Sequence, residues 1–250
     1  MTVEDLRAAF DASQRRRADM ANLPKSWTQT PYVTRDHGQI IWQNIPASDV
    51  QDVIAAELDV ARAAGAHDLE WKLYAHDAPD GFAEALMAAG FERQPTETIL
   101  TRASDLGPPA RVPGLEVIQI HTLEQASHCF NLVLQAFGNN WDKSPEDLLQ
   151  RALGAEPFWL GLSQGQPVSM GRLTRTEGSD FAGLYGGASH PDFRRRGFYR
   201  PVVQARVQAA ADMGCKWVFS EALPTSEPIL RALGFETLSK VTGYLYRFAH

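Results

Sequence analysis

The stretch of sequence that decides the fold runs from Gly183 to Pro201 and reads GLYGGASHPDFRRRGFYRP. Its first part is typical of a strand and its end opens a helix, so a loop with three arginines and Gly197 joins them. The first amides of a helix and the positive end of its dipole form an anion site. Gly186 and Gly187 inside the strand indicate a β-bulge or a close approach by a ligand. Two interpretations follow with equal weight: a phosphate-bearing ligand along this strand, or a surface arginine cluster before an ordinary helix.

Around this stretch the second half of the chain alternates between strand and helix patterns. The patterns predict strands over 115–121, 158–163, 168–176, 181–189 and 216–219, helices over 122–137, from Ser144, over 201–213 and over 227–233, and an extended run to 248. Thr122 and Ser144 are expected to cap their helices. This order predicts an α+β domain with a mixed, mostly antiparallel sheet flanked by helices.

A shorter pattern occurs twice. Residues 68–102 and 215–248 both read strand, turn, helix and extended run, and in both the helix ends in Gly-Phe-Glu, at Gly90 and Gly234. The matching order and spacing predict a duplicated unit. Between the two copies, residues 107–113 are rich in proline and predict a stiff linker. We therefore expect domains over 1–106 and 114–250.

The composition is that of a globular protein. The chain has 250 residues, 44% hydrophobic and 22% charged, with 24 Lys+Arg against 30 Asp+Glu and a net charge of −6. These values exclude disorder and a disulfide scaffold, and the acidic balance argues against nucleic-acid binding. No apolar run could span a membrane. Cys129 and Cys215 are expected to be core thiols of a cytoplasmic protein, and the scattered histidines predict no metal site.

The motif around the arginines resembles a known one. The run His190–Gly197 resembles the acyl-CoA-binding motif of the GCN5-related N-acetyltransferase (GNAT) superfamily, whose pattern Arg/Gln-x-x-Gly-x-Gly/Ala corresponds here to 194–199. Leu233-Gly234-Phe235-Glu236 resembles the signature after that family's last helix. The resemblance covers about residues 114–250. The first half resembles the end of the same fold without a phosphate loop, which implies a degenerate second copy.

The resemblance implies direct transfer of an acetyl group from acetyl-CoA to an amine in a ternary complex. It implies that acetyl-CoA is bound by Gly187, Ala188, Ser189, Arg194, Arg195, Arg196, Gly197, Phe198 and Tyr199, with the first three contacting pantetheine and the others the pyrophosphate. Two positions depart from the family. Tyr199 replaces a glycine or alanine, so its side chain must point away from the pyrophosphate or cover it. Leu230 stands where the family often has a tyrosine that protonates the departing thiolate.

Four residues are candidates for catalysis, each with an ordinary alternative. Glu221 at the end of a strand is either a base or ammonium-binding group, or a solvated strand-end carboxylate. Tyr185 lies on the cofactor strand and Tyr244 on the last strand, and either lines the site or packs in the core. Ser226 either donates to the thiolate in place of the missing tyrosine or caps the last helix.

The expected function is N-acetylation of a primary amine on a small molecule by a monomer or weak homodimer. One alternative, motivated by Leu230, is a non-catalytic acyl-CoA-binding or sensing protein. Another is an acetyltransferase that acts on a peptide or protein amine.

Overall fold

The computed structural model describes residues 2–17, 27–36, 38–105, 107, 111–138 and 144–249. Residues 108–110 of the predicted linker lie outside these ranges. The helices and strands, in chain order, are α1 (Val3–Phe10), β1 (Trp27–Gln29), β2 (Val33–Asp36), β3 (Gln39–Gln43), α2 (Val50–Ala63), β4 (Asp68–Tyr74), α3 (Phe82–Ala88), β5 (Glu92–Ala103), β6 (Leu115–Gln119), α4 (Leu123–Phe137), α5 (Pro145–Leu153), β7 (Phe158–Ser163), β8 (Gln166–Arg175), β9 (Phe181–Ser189), α6 (Tyr199–Asp212), β10 (Trp217–Ala222), α7 (Glu227–Arg231) and β11 (Glu236–Arg247).

The chain forms two units. The first unit contains Met1–Leu100, Glu221–Pro228 and Glu236–His250, and the second contains Thr101–Ser220 and Ile229–Phe235. This division differs from the boundary expected between residues 106 and 114. β11, which the sequence assigns to the second domain, pairs antiparallel with β4 from Val241↔Tyr74 to Arg247↔Asp68. Strand pairing between distant segments, and not the position of the linker, sets the division.

The first unit is built on strands in the order β1-β2-β3-β4-β11-β5. Its core surrounds Trp71, which is fully buried and stacks at 5.1 Å on Phe82. The indole Nε1 of Trp71 donates to Gln43 Oε1 at 2.7 Å, so the polar edge of this large side chain is satisfied inside the core.

The second unit has strands in the order β10-β9-β8-β7-β6. Only β9 and β10 are parallel in this set, while β6, β7, β8 and β9 pair antiparallel in sequence. Helices cover both faces: Leu160 packs in a cluster with residues of α4, whereas a Cβ on Gly161 would meet Val202 of α6. Because successive strand residues point to opposite faces, α4 and α6 lie on opposite sides. The predicted mixed, mostly antiparallel α+β fold is confirmed.

The structure confirms the helix ends that the sequence predicts. Thr122 and Ser144 accept hydrogen bonds from the amides of Gln125 and Asp147, at 3.3 and 3.2 Å, and each forms a capping box. The two Gly-Phe-Glu segments end their helices in the same way. In the first unit the amide of Phe91 donates to Leu86 O, and in the second the amide of Phe235 donates to Leu230 O, both at 3.1 Å. Within the described ranges, no helix is both long and apolar enough to cross a membrane.

Candidate functional site

The candidate site of the second unit begins where β9 and β10 stop pairing. The two parallel strands are in register at three positions, from Trp217↔Phe181 to Phe219↔Gly183. One position further along, the hydroxyl of Ser220 on β10 donates a hydrogen bond to Leu184 O on β9 at 3.0 Å. Beyond it, the described β9 residues pair with β8 alone. This leaves one backbone edge of β9 without a partner strand in the second unit, over the residues that the sequence assigns to pantetheine.

A β-bulge lies at the start of this edge. Tyr185 pairs with Arg172 and Ala188 with Met170, so two residues of β9, Gly186 and Gly187, oppose the single residue Gly171 of β8. Gly186 has φ +60°, a left-handed conformation that glycine adopts without a steric penalty. The bulge predicted from the glycine pair is confirmed. A bulge leaves the extra residue unpaired, disrupts the regular ladder and bends the strand.

The loop between β9 and α6 is open to solvent. Arg194, Arg195, Arg196 and Gly197 are all exposed. A Cβ built on Gly197, which has φ +80°, would meet no atom within 4 Å, so the backbone there can be approached closely. The guanidinium of Arg196 lies 5.0 Å above the ring of Phe193. Three cationic side chains beside the first turn of α6 make this loop a favourable place for an anion.

Tyr199, the first residue of α6, points back towards β9. A Cβ built on Gly187 would lie 2.0 Å from Tyr199 Oη, so any larger residue at 187 would collide with the tyrosine. The hydroxyl accepts a hydrogen bond from Arg206 Nη2 at 3.2 Å. The side chain that replaces the small residue of the family motif is therefore accommodated against the strand, away from the exposed loop.

Arg206 is a residue of this site that the sequence reasoning missed. It is completely buried on α6, and its guanidinium donates to Arg172 O at 3.2 Å and to Tyr185 O at 3.3 Å. A Cβ on Gly171 would lie 2.4 Å from Arg206 Cζ. An arginine among apolar residues on the buried side of a helix was the available signal, because such a charge requires polar partners in the interior.

Tyr185 packs by its ring. It lies 5.8 Å from Phe219 in an edge-to-face arrangement, with the guanidinium of Arg172 5.5 Å from its ring centre. Arg172 is in turn paired with Glu156 at 3.1 Å. Burial lowers the pKa of Arg172, and the Glu156 carboxylate only partly offsets that effect. Tyr185 therefore lies at the bulge with a packing role that the structure accounts for, and its catalytic role stays a prediction.

Among the other predicted cofactor residues, Ala188 is buried in the core with Met170 and residues of α4, so it offers a ligand only its backbone. Ser189 is half-buried, and its carbonyl accepts from Arg194 Nε at 3.4 Å. Phe198 is the residue before α6 and lies 6.2 Å from the ring of Phe193. The structure thus brings the predicted set together along one strand, one loop and one helix start.

Glu221 belongs to the first unit and is not a solvated strand-end carboxylate. It forms an ion pair with Lys72, and the side chains of the two are only 12% and 16% exposed. Burial has the largest single effect on the pKa of Lys72 and would lower it, but the carboxylates of Glu221, Glu70 and Glu97 together raise it overall. Burial, followed by the charge of Glu221, raises the pKa of the nearby Glu97. Glu221 is thus one member of a partly buried charge cluster.

The two remaining catalytic candidates also lie in the first unit. Tyr244 is 4% exposed and packs in the core around Trp71, which favours its structural interpretation. Ser226 precedes α7, and its hydroxyl donates to Leu223 O at 3.2 Å. Leu230, where the family often has tyrosine, is a buried leucine of the second unit.

The remaining predictions concern the two cysteines and metal binding. Cys129 and Cys215 are free and buried, as the sequence predicts. Within the ranges that the structure describes, no group of three or more His, Cys, Asp or Glu residues could hold a metal ion.

Comparison with known proteins finds similarity to one family. Residues 126–235 match the model of the Acetyltransferase (GNAT) family. A search of curated protein sequences returned no match.

Solved structures share the fold over most of the chain. A GCN5-related N-acetyltransferase from Kribbella flavida is similar with a TM-score of 0.71 and 15% identity, covering 99% of this chain and 96% of that one. One from Sphaerobacter thermophilus has a TM-score of 0.64 and 12% identity, covering 85% and 74%. A tandem GNAT protein from the clavulanic acid biosynthesis pathway has a TM-score of 0.60 and 14% identity, covering 98% and 94%.

Proposed function

We propose that the protein is an N-acetyltransferase that moves an acetyl group from acetyl-CoA to a primary amine of a small molecule by direct transfer. The observation that carries this proposal is the free edge of β9. It begins at the bulge of Gly186 and Gly187 and leads at Ser189 into the exposed arginine loop before α6. One strand thus offers both an unpaired backbone for an amide-bearing chain and an anion site at its end.

The residues fit acetyl-CoA in three places. Backbone groups of Gly187, Ala188 and Ser189 would pair with the amides of pantetheine, since an extended chain can add to an open strand edge. The arginine loop and the first turn of α6 would hold the pyrophosphate. Acetyl-CoA supplies an activated thioester, and backbone amides at the bulge would polarise its carbonyl. The chain's own contribution is to position the two substrates together.

We also propose that the first unit is a degenerate second copy of the fold. The order β4-α3-β5 repeats the order β10-α7-β11, and at the end of both helices a phenylalanine amide donates a hydrogen bond to a leucine carbonyl of the helix. The similarity to a solved tandem GNAT protein supports this proposal. The first unit has no arginine loop between a strand and a helix in its described residues, so acetyl-CoA is assigned to the second unit.

The acceptor is proposed to be a small primary amine, which attacks in its neutral form after losing a proton. The net charge of −6 suits an acceptor that is cationic in solution. Because Leu230 cannot donate a proton to the departing thiolate, a non-catalytic acyl-CoA-binding protein is the second candidate. An acetyltransferase for peptide or protein amines is the third.

Release of free thiol from acetyl-CoA tests these candidates in one assay. The purified protein is incubated with acetyl-CoA together with one kind of amine at a time: a polyamine, an aminoglycoside or an amine-terminated peptide. Thiol release that requires a small amine supports the proposal, and release that requires a peptide supports the third candidate. Tight binding of acetyl-CoA with no release for any amine would favour the second candidate and contradict the proposed enzyme.

A further inference from the structure

Arg206 is a buried cation without an acidic partner. Its exposed fraction is 0%, and within the described part of the chain no carboxylate oxygen lies within 4.0 Å of its guanidinium. Its donors go instead to three carbonyl oxygens and one hydroxyl: Val202 O, Arg172 O, Tyr185 O and Tyr199 Oη, at 3.2 to 3.3 Å. A charge buried in this way requires dense hydrogen bonding. The acceptors that surround Arg206 therefore indicate what it stabilises.

Two of these acceptors belong to the bulge of β9. Arg172 and Tyr185 are the last regular pair of β8 and β9 before the register shifts. One nitrogen, Nη1, donates to both of their carbonyls. Gly171, the residue opposite the bulge, leaves the space that the guanidinium fills. Arg206 thus binds the backbone at the point where the ladder is interrupted, which fixes the shape of the bulge.

A third acceptor is the hydroxyl of Tyr199. Because this oxygen accepts from Arg206, its own proton is left to donate elsewhere. A hydrogen bond from a cation is stronger than a neutral one and makes the hydroxyl a better donor. The hydroxyl lies at Gly187, the second residue of the bulge. A donor polarised by a buried charge therefore lies beside Gly187, where the open edge of β9 begins, at the end away from the arginine loop.

We infer that Arg206 is a positioning residue of the acyl-donor site, which holds the β9 bulge and orients the Tyr199 hydroxyl to donate to the thioester end of acetyl-CoA. This inference rests on the proposed function. In the transfer, the amine nitrogen bonds to the carbonyl carbon, the carbon–sulphur bond breaks, and the nitrogen loses a proton while the sulphur gains one. The Tyr199–Arg206 pair stabilises the negative charge that develops at the thioester during this exchange. Tyr199 keeps its own proton.

Comparing the binding of two ligands of different length distinguishes a role of Arg206 at the thioester end from a general effect on folding. Acetyl-CoA reaches from the loop to the bulge, whereas 3′,5′-ADP carries only the phosphate end. Dissociation constants for both are measured by calorimetry, directly or in competition, for wild type, Arg206→Met, Arg206→Lys and Tyr199→Phe. Gln208→Met is the matched control, because Gln208 lies on the same helix and bonds only to Asp212 in the described structure.

We expect Arg206→Met and Tyr199→Phe to weaken acetyl-CoA binding by about tenfold, near the upper end of the usual effect of losing one hydrogen bond. Binding of 3′,5′-ADP should change by less than about twofold. Arg206→Lys should recover part of the loss, and Gln208→Met should behave as wild type. If Arg206→Met does not fold, Tyr199→Phe decides the question, because it keeps the ring and removes only the hydroxyl.

Equal effects on both ligands, or no effect on either, would overturn the inference and leave the proposed function standing, since wild type would still bind acetyl-CoA. Failure of wild type to bind acetyl-CoA would overturn the proposed function and the inference with it.

Discussion

Gly187 and Tyr199 occupy one space: a Cβ on Gly187 would lie 2.0 Å from the hydroxyl oxygen of Tyr199. The strand and the first turn of α6 approach this closely because β9 carries a glycine where the tyrosine meets it. The tyrosine that departs from the family motif is thus matched by a glycine twelve residues earlier in the chain. The two positions should therefore depend on each other.

The substitution Gly187→Ala should lower the free energy of unfolding by about 1–3 kcal/mol, because the added methyl overpacks the contact with Tyr199. In a Tyr199→Ala background the same substitution should cost much less, since the colliding hydroxyl is gone. Urea unfolding of the four proteins of this cycle measures the coupling. Additive costs would contradict the contact.

The pKa of Glu97 predicts how stability changes with pH. Burial and the charge of Glu221 raise this pKa above its ordinary value of 4.5, so the folded protein holds the proton more tightly than the unfolded chain. The stability contributed by Glu97 is therefore fully present below pH 4.5 and is lost as the pH rises through the raised value. Glu97→Gln should make the dependence of unfolding free energy on pH flatter in this window.

The control for this experiment is Glu92→Gln. Glu92 lies on the same strand, but its side chain is 68% exposed in its pair with Arg247. Removing a surface carboxylate should leave the slope against pH close to that of wild type. Equal slopes for wild type and Glu97→Gln would show that Glu97 does not titrate in this range.

The two cysteines should not react in the folded protein. Burial raises the pKa of Cys129 to about 12, and burial also raises the pKa of Cys215. The reactive thiolate is therefore scarce at pH 8, and both side chains are inaccessible. A colorimetric thiol titration should find no fast-reacting thiol in the native protein and two after denaturation. A rapidly modified native thiol would contradict this burial.

The parts of the molecule that could be predicted from sequence are those specified locally. The helix caps at Thr122 and Ser144, the bulge at Gly186 and the loop before α6 each depend on residues close together in the chain. Local rules of hydrogen bonding and backbone conformation govern these features, and the structure agrees with them.

The parts that sequence reasoning missed depend on partners far apart in the chain. Lys72 and Glu221 are 149 positions apart, so nothing near Glu221 indicates that it is ion-paired. β11 lies in the part of the sequence assigned to the second domain but pairs with β4, and hydrophobic alternation does not say which strand is the neighbour. Arg206 lies on a helix whose pattern indicates burial, but two of the three carbonyls that it binds come from two different strands.

Thermal unfolding with and without acetyl-CoA measures whether acetyl-CoA binds at the arginine loop. At about 100 times its dissociation constant the ligand adds about 2.7 kcal/mol, which should raise the Tm of wild type by about 5–10 °C. Gly197→Glu, which places a negative charge in the loop, should lose this rise.

The matched control is Gly178→Glu, which introduces the same charge at a glycine with a similar φ of +74° and open surroundings, between β8 and β9. It carries the same backbone strain and should keep the full rise. We expect a rise in Tm for wild type and Gly178→Glu and none for Gly197→Glu. An absent rise in wild type, or an equal rise in Gly197→Glu, would contradict binding at this loop.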